Sequence, residues 1–103
     1  MYARLVSFSD ADPERRDNTI QTIRETVLPT LRQHDGFAGY IALYDARNRR
    51  AKGILLWESE EAAEAAELEL AKFRGEMASR LGLKLESADL YEAPIVELET
   101  ARV

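Results

Sequence analysis

Apolar positions along the chain switch between two periods, and the switches divide it into six elements. Residues 2–9, YARLVSFS, alternate loosely and predict a strand. Asp12-Pro13 then reads as a helix start, with Asp as the cap and Pro in the first helical position, where its missing N–H goes unused. Ile20, Ile23, Val27 and Leu31 follow at helical spacing and give residues 13–34 one apolar face. Pro29 interrupts this pattern and is expected to kink the helix or break it near Leu28. Asp35-Gly36 ends it.

Residues 37–46 and 50–58 read as two strands joined by a turn near Arg47-Asn48-Arg49. Ser59 caps a second helix, with Glu60 and Glu61 in its first turn, where the helix dipole favours negative charge. Ala63, Ala66, Leu70, Phe73, Met77 and Leu81 form its apolar stripe. Gly75 weakens this helix and marks a place where it can break, while Gly82 is the expected stop. Residues 84–98 return to strand, with Pro94 marking an edge or bulge because it has no N–H for a ladder. The order β-α-β-β-α-β predicts an α+β fold with two helices on one side of a four-stranded sheet.

Both faces of the central strand pair are apolar. Ile41 and Leu43 point one way, and Tyr40, Ala42 and Tyr44 the other. In the next strand Leu55 and Trp57 oppose Ile54 and Leu56. Two helices cover only one face, and monomers rarely expose large apolar patches. A two-fold dimer, sheet against sheet, is the economical cover, burying roughly 800 Å² or more per subunit. Register decides which Tyr shares a face with Trp57. Pairing of Arg47 with Arg50 sets Tyr40 opposite Trp57 with Tyr44 on the same face, whereas a one-residue slip separates them.

Composition narrows the function classes. The 103 residues argue for one domain spanning residues 1–103. The net charge of −5 argues against nucleic acid, whose partners usually carry a basic domain. No stretch is long and apolar enough to span a membrane, and residues 1–10 carry no signal-peptide pattern, so a cytoplasmic protein is expected. Cys is absent and His34 is the single histidine. Together with the absence of a Walker motif or a Ser-His-Asp order, this predicts a protein with no metal, haem or flavin. Glu60, Glu64 and Glu67 share a helical face, but without His or Cys they make a poor metal site. Arg47, Arg49 and Arg50 read as a solvated turn that discourages edge pairing.

Gly36-Phe37-Ala38-Gly39 after the first helix, and Trp57-Glu58-Ser59 opening the second, resemble the antibiotic biosynthesis monooxygenase family. The resemblance implies a ferredoxin-like subunit with a four-stranded antiparallel sheet, paired into a dimeric α/β barrel. It also implies that the last strand, or the tail beyond Pro94, reaches the partner subunit. Family members include cofactor-free oxygenases of aromatic polyketides and quinols, and haem-degrading enzymes. Polyketide-oxidising members use the Trp of this motif, an Asn four residues before it and a Tyr six after it. Here only Trp57 matches, since those positions hold Gly53 and Ala63. Haem degradation is not expected, because the axial His of those members has no counterpart between Ser59 and Leu81.

The candidate catalytic groups are His34, as a proton shuttle, and Tyr40, as a hydrogen-bond donor to a quinone or phenol oxygen. His34 also reads as a plain cation at a helix end. Trp57, Tyr44 and Phe73 are the candidate walls for a small aromatic ligand, and Tyr91 is a further phenolic donor. Trp57 also reads as a core residue, which is the commoner fate of a buried aromatic. Two functions stay open: a cofactor-independent monooxygenase of an aromatic, quinol or polyketide-like molecule, and a non-catalytic ligand-binding or stress-associated module. The first requires a cavity of about 300 Å³ or more with convergent polar groups. The second expects that volume to be filled by Leu, Phe and Met.

Overall fold

A computed structural model describes residues 1–99. β1 (Tyr2–Ser9), β2 (Phe37–Asp45), β3 (Arg50–Trp57) and β4 (Lys84–Glu92) form one sheet in the order β2-β3-β1-β4. Every neighbouring pair is antiparallel. The first helical segment and α3 (Glu60–Leu81) pack on one face, which is the ferredoxin-like arrangement.

The first helical segment is built in four pieces. Asp12 caps a 3₁₀ turn, Pro13–Arg15, by accepting the Glu14 N–H at 2.9 Å. α1 (Arg16–Thr22) follows, then a π-helical turn, Ile23–Val27, and then α2 (Leu28–Arg32). The π turn is the answer to Pro29. An α-helical ladder would set the ring against the carbonyl of Glu25 and find no N–H to bond it. Instead the Leu28 N–H reaches back five residues to the Ile23 carbonyl. Pro29 then occupies the start of α2, and Thr30 Oγ1 donates to the Thr26 carbonyl at 2.9 Å. The expected break near Leu28 is thus a widened turn in a continuous helical path.

α3 begins where Ser59 Oγ accepts the Ala62 N–H at 3.1 Å. It runs unbroken to Leu81, so the break at Gly75 does not occur. Gly75 faces open space, and the packing of Leu70 and Met77 on either side holds the helix through it. Gly82 closes the helix at φ +71°, a conformation that glycine adopts without steric cost.

The end of the last strand and the hairpin register differ from the expected ones. β4 ends at Glu92 instead of continuing to residue 98. Ala93 still donates its N–H to the Met1 carbonyl at 2.8 Å, and Pro94, which lacks that donor, lies just past the ladder. The hairpin register sets Asp45 against Arg50, two residues from the Arg47–Arg50 pairing considered above. Tyr40 therefore pairs with Leu55, and Phe37 pairs with Trp57 across a bulge at Ala38. A shift of two keeps face membership, so Tyr40, Ala42 and Tyr44 share the helix-covered face with Leu55 and Trp57.

Val6, Leu31, Leu55, Trp57, Ala63, Ala66 and Leu70 form the core between helices and sheet. The opposite face is uncovered over part of its area. Ile41, Leu43 and Tyr91 are 37%, 45% and 53% exposed there, while Leu56 is buried. No helix among the described residues is long and apolar enough to cross a membrane.

Candidate functional site

The core does not fill the space between the helices and the sheet. A cavity of about 190 Å³ remains at the end of the layer nearest the β2–β3 hairpin. Its floor is the helix-facing side of the sheet: Val6 and Phe8 from β1, Tyr40, Ala42 and Tyr44 from β2, and Ala51, Gly53 and Leu55 from β3. Ile20, Ile23, Val27 and Leu31 form one wall, and the π turn supplies the middle two. Leu70, Phe73, Met77 and Leu81 of α3 form the other.

One phenol reaches this apolar space from the floor. Gly53 has no side chain, and a Cβ there would stand 2.8 Å from Tyr40 Oη. The Tyr40 hydroxyl therefore lies in the volume that any other residue at position 53 would occupy. Desolvation by burial alone raises the Tyr40 pKa above its ordinary value. The group stays a protonated donor through neutral pH and beyond, and it is unsuited to act as a base there. At the position where the resemblance implies Asn, the chain carries Gly53, and a phenol from the neighbouring strand takes the space.

Charged side chains stand both at the cavity and behind its α3 wall. Arg74 lines it from α3, with Nη1 and Nη2 bonded to the Glu67 carboxylate at 2.8 and 2.9 Å. Arg4 approaches the same carboxylate from β1, its Nε 3.5 Å from Glu67 Oε1, and donates from Nη1 to the Ala88 carbonyl at 3.3 Å. Arg4 Nη2 is buried without a hydrogen-bond partner among the described residues. Burial works to raise the Glu67 pKa, but the hydrogen bond and charge of Arg74 and the charge of Arg4 outweigh it and hold it below the ordinary value. Arg15 and Arg16 line the rim. Arg15 Nη1 lies over Gly82 at the carboxyl end of α3, and the Arg16 guanidinium stands 5.9 Å from the centre of the Tyr44 ring.

The sequence-predicted residues divide by place. Tyr40, Tyr44 and Phe73 all line the cavity. Trp57 does not: it is 1% exposed in the core cluster and meets Phe37 edge-on with ring centres 5.6 Å apart. His34 is also outside the lining, at the end of the first helical segment, with Nε2 3.8 Å from Glu69 Oε2. Tyr91 is on the far face of the sheet. Of the acidic helical face, Glu67 is taken up by the two arginines, and no group of three or more metal-ligating side chains gathers among the described residues. Arg50 at the hairpin tip pairs with Asp45 at 3.3 Å.

The Arg4–Glu67–Arg74 cluster escaped the sequence reading. Its signal was present, since Arg4 has the strand parity of Val6 and Phe8 and so had to be buried with a partner.

No protein-family model matches the chain, and no curated protein matches it. Solved structures match it along nearly its whole length. The monooxygenase from the gene ActVA-Orf6 of Streptomyces coelicolor, solved in complex with nanaomycin D, is 18% identical with a TM-score of 0.70, covering 96% of this chain and 92% of that one. SnoaB, a cofactor-independent oxygenase from Streptomyces nogalater, is 15% identical with a TM-score of 0.66, over 95% of this chain and 97% of that one. HapK from Hahella chejuensis is 12% identical with a TM-score of 0.67, over 98% of this chain and all of that one. At these identities the likeness establishes a shared fold.

Proposed function

We propose that the protein is a cofactor-independent monooxygenase of a small aromatic phenol or quinol. The observation that carries this reading is the Tyr40 hydroxyl, set over Gly53 in an otherwise apolar cavity. The fold shared with SnoaB and ActVA-Orf6 supports it.

The chemistry asks little of the chain. A deprotonated phenolic substrate with an oxidisable ring CH₂ supplies all four electrons that O₂ accepts. A new C–O bond forms at that carbon, the O–O bond breaks, and one oxygen leaves as water while the carbon becomes a carbonyl. The protein holds the substrate, keeps water out and donates from Tyr40 Oη to the substrate oxygen on which negative charge sits. A donor in a poorly solvated site strengthens that contact relative to water. Tyr40 remains the donor throughout, and the substrate's proton leaves by another route.

Oxygen uptake with naphthols and dihydroxynaphthalenes, whose keto tautomers carry the ring CH₂, tests this reading. Wild-type protein should consume oxygen with product formation. Tyr40→Phe should retain the fold and lose roughly 10²-fold or more in turnover, the scale of removing an oxyanion donor. No uptake with any member of the panel would overturn the reading. The volume itself favours a second one: 190 Å³ is below the ~300 Å³ of common ligand sites, with Phe73 and Met77 occupying part of the space. A ligand-binding module without turnover would bind the same aromatics and leave oxygen untouched.

The uncovered sheet face is proposed as a homodimer interface. Ile95 and Leu98, which follow β4, are also exposed and offer further apolar surface that a partner subunit could cover.

A further inference from the structure

We propose that the ligand of this cavity is a small aromatic acid of one or two fused rings, with its anionic group held by Arg15 and Arg16. The inference rests on the reading of the cavity as a ligand site and adds the class of ligand.

Size sets the first limit. A cavity of 150 Å³ in another protein takes benzene. At about 190 Å³, and closed on three sides by sheet and helices, this one suits one or two rings.

Charge sets the second. The chain carries a net charge of −5, yet the side chains at the cavity reverse that sign. Arg15, Arg16 and Arg74 line it against a single carboxylate, Asp12. Asp12 is engaged as the cap of the 3₁₀ turn, and Arg74 is engaged by Glu67. Lys52 also borders the cavity, but its ammonium is engaged by Ser7 Oγ at 2.8 Å on the far face of the sheet. Arg16 has one weak partner, the exposed Asp17 beside it. Arg15 forms no ion pair among the described residues. Two arginines thus stand at the mouth of an apolar space with donor capacity to spare, and guanidinium suits a carboxylate.

Spacing sets the third. The Tyr40 hydroxyl lies at the level of the Ala42–Gly53 pair, and Arg16 lies over Tyr44 at the level of the Tyr44–Ala51 pair. Two residues along a strand span about 7 Å. A hydroxyl on one ring and a carboxylate on the far side of the next are separated by a similar length. One molecule of this kind reaches the phenol at one end and the arginines at the other.

The test is calorimetric binding under nitrogen, so that it is read without turnover. The probes are a naphthol and the hydroxynaphthoate with a carboxylate on the distant ring. The hydroxynaphthoate should bind wild-type protein about tenfold tighter or more, the factor expected when a charge-assisted contact is added. Added salt should shrink that advantage. In the Arg15→Gln, Arg16→Gln double variant, shown to be folded by circular dichroism, the two affinities should converge. Equal affinities in wild-type protein would overturn the proposal, and that measurement depends on no variant. A preference that survives in the double variant would also overturn it. A three-ring carboxylate that binds tighter than the hydroxynaphthoate would overturn the size limit. Oxygen uptake plays no part in these outcomes, so the monooxygenase reading can fail while the anion preference stands.

Discussion

At the scale of single residues, the site turns on exchanges of volume and charge. Tyr40 occupies space that Gly53 leaves free, and burial keeps its phenol protonated. Trp57 illustrates the opposite outcome. Its place at the end of an apolar strand suits a cavity mouth as well as a core, and the contact with Phe37 and the closure by Ala63 and Ala66 belong to the core. Trp57→Ala is therefore expected to destabilise the fold by about 3–5 kcal/mol, read by urea unfolding. A loss under 1 kcal/mol would mean that the indole is not packed as described. The difference between the two roles was invisible in sequence, because it depends on how far α3 descends over the sheet.

At the scale of elements, one residue type decides each irregularity. Pro29 produces the π turn, and the widened turn places Ile23 and Val27 in the cavity wall. The strand alternation, the Ser59 cap and the helical stripe were legible because each is a local pattern with a physical period. The π turn was not, since the sequence shows only a Pro in a helix and several repairs are open to it. α3 is tied to β1 through Glu67, which bridges Arg4 and Arg74. Glu67→Gln preserves shape but leaves two largely buried guanidinium groups without their carboxylate. A loss of about 2–4 kcal/mol is expected, between an exposed pair and a fully buried one. The sign with pH follows from the lowered Glu67 pKa. The stabilisation is present above about 4.5, the ordinary glutamate value, and is lost as pH falls through the lower folded value. Denaturation curves of wild type and Glu67→Gln should approach each other in acid. A constant gap down to the lowest accessible pH would remove Glu67 as the source.

At the scale of the whole molecule, the element order and the two-faced hairpin were readable from period alone, and together they implied a sheet with a free side. The structure leaves Ile41, Leu43 and Tyr91 exposed on that side. Sedimentation at micromolar concentration should give a dimer, and Leu43→Glu should return it to a single subunit with the same secondary structure. A single 11.7 kDa species in the wild-type protein would refute the interface. The size and polarity of the cavity were not readable, since they depend on side chains from five elements brought together only by folding.

The Tyr40–Gly53 contact makes the two positions one heritable unit. A lineage that drifts to a larger side chain at position 53 must displace the Tyr40 hydroxyl or exchange the tyrosine for something smaller, because a Cβ at position 53 would stand 2.8 Å from that oxygen. Either course changes the polar group facing the ligand. Divergence at this pair would therefore redistribute substrate choice in a single step, while drift elsewhere on the cavity wall would adjust it by degrees.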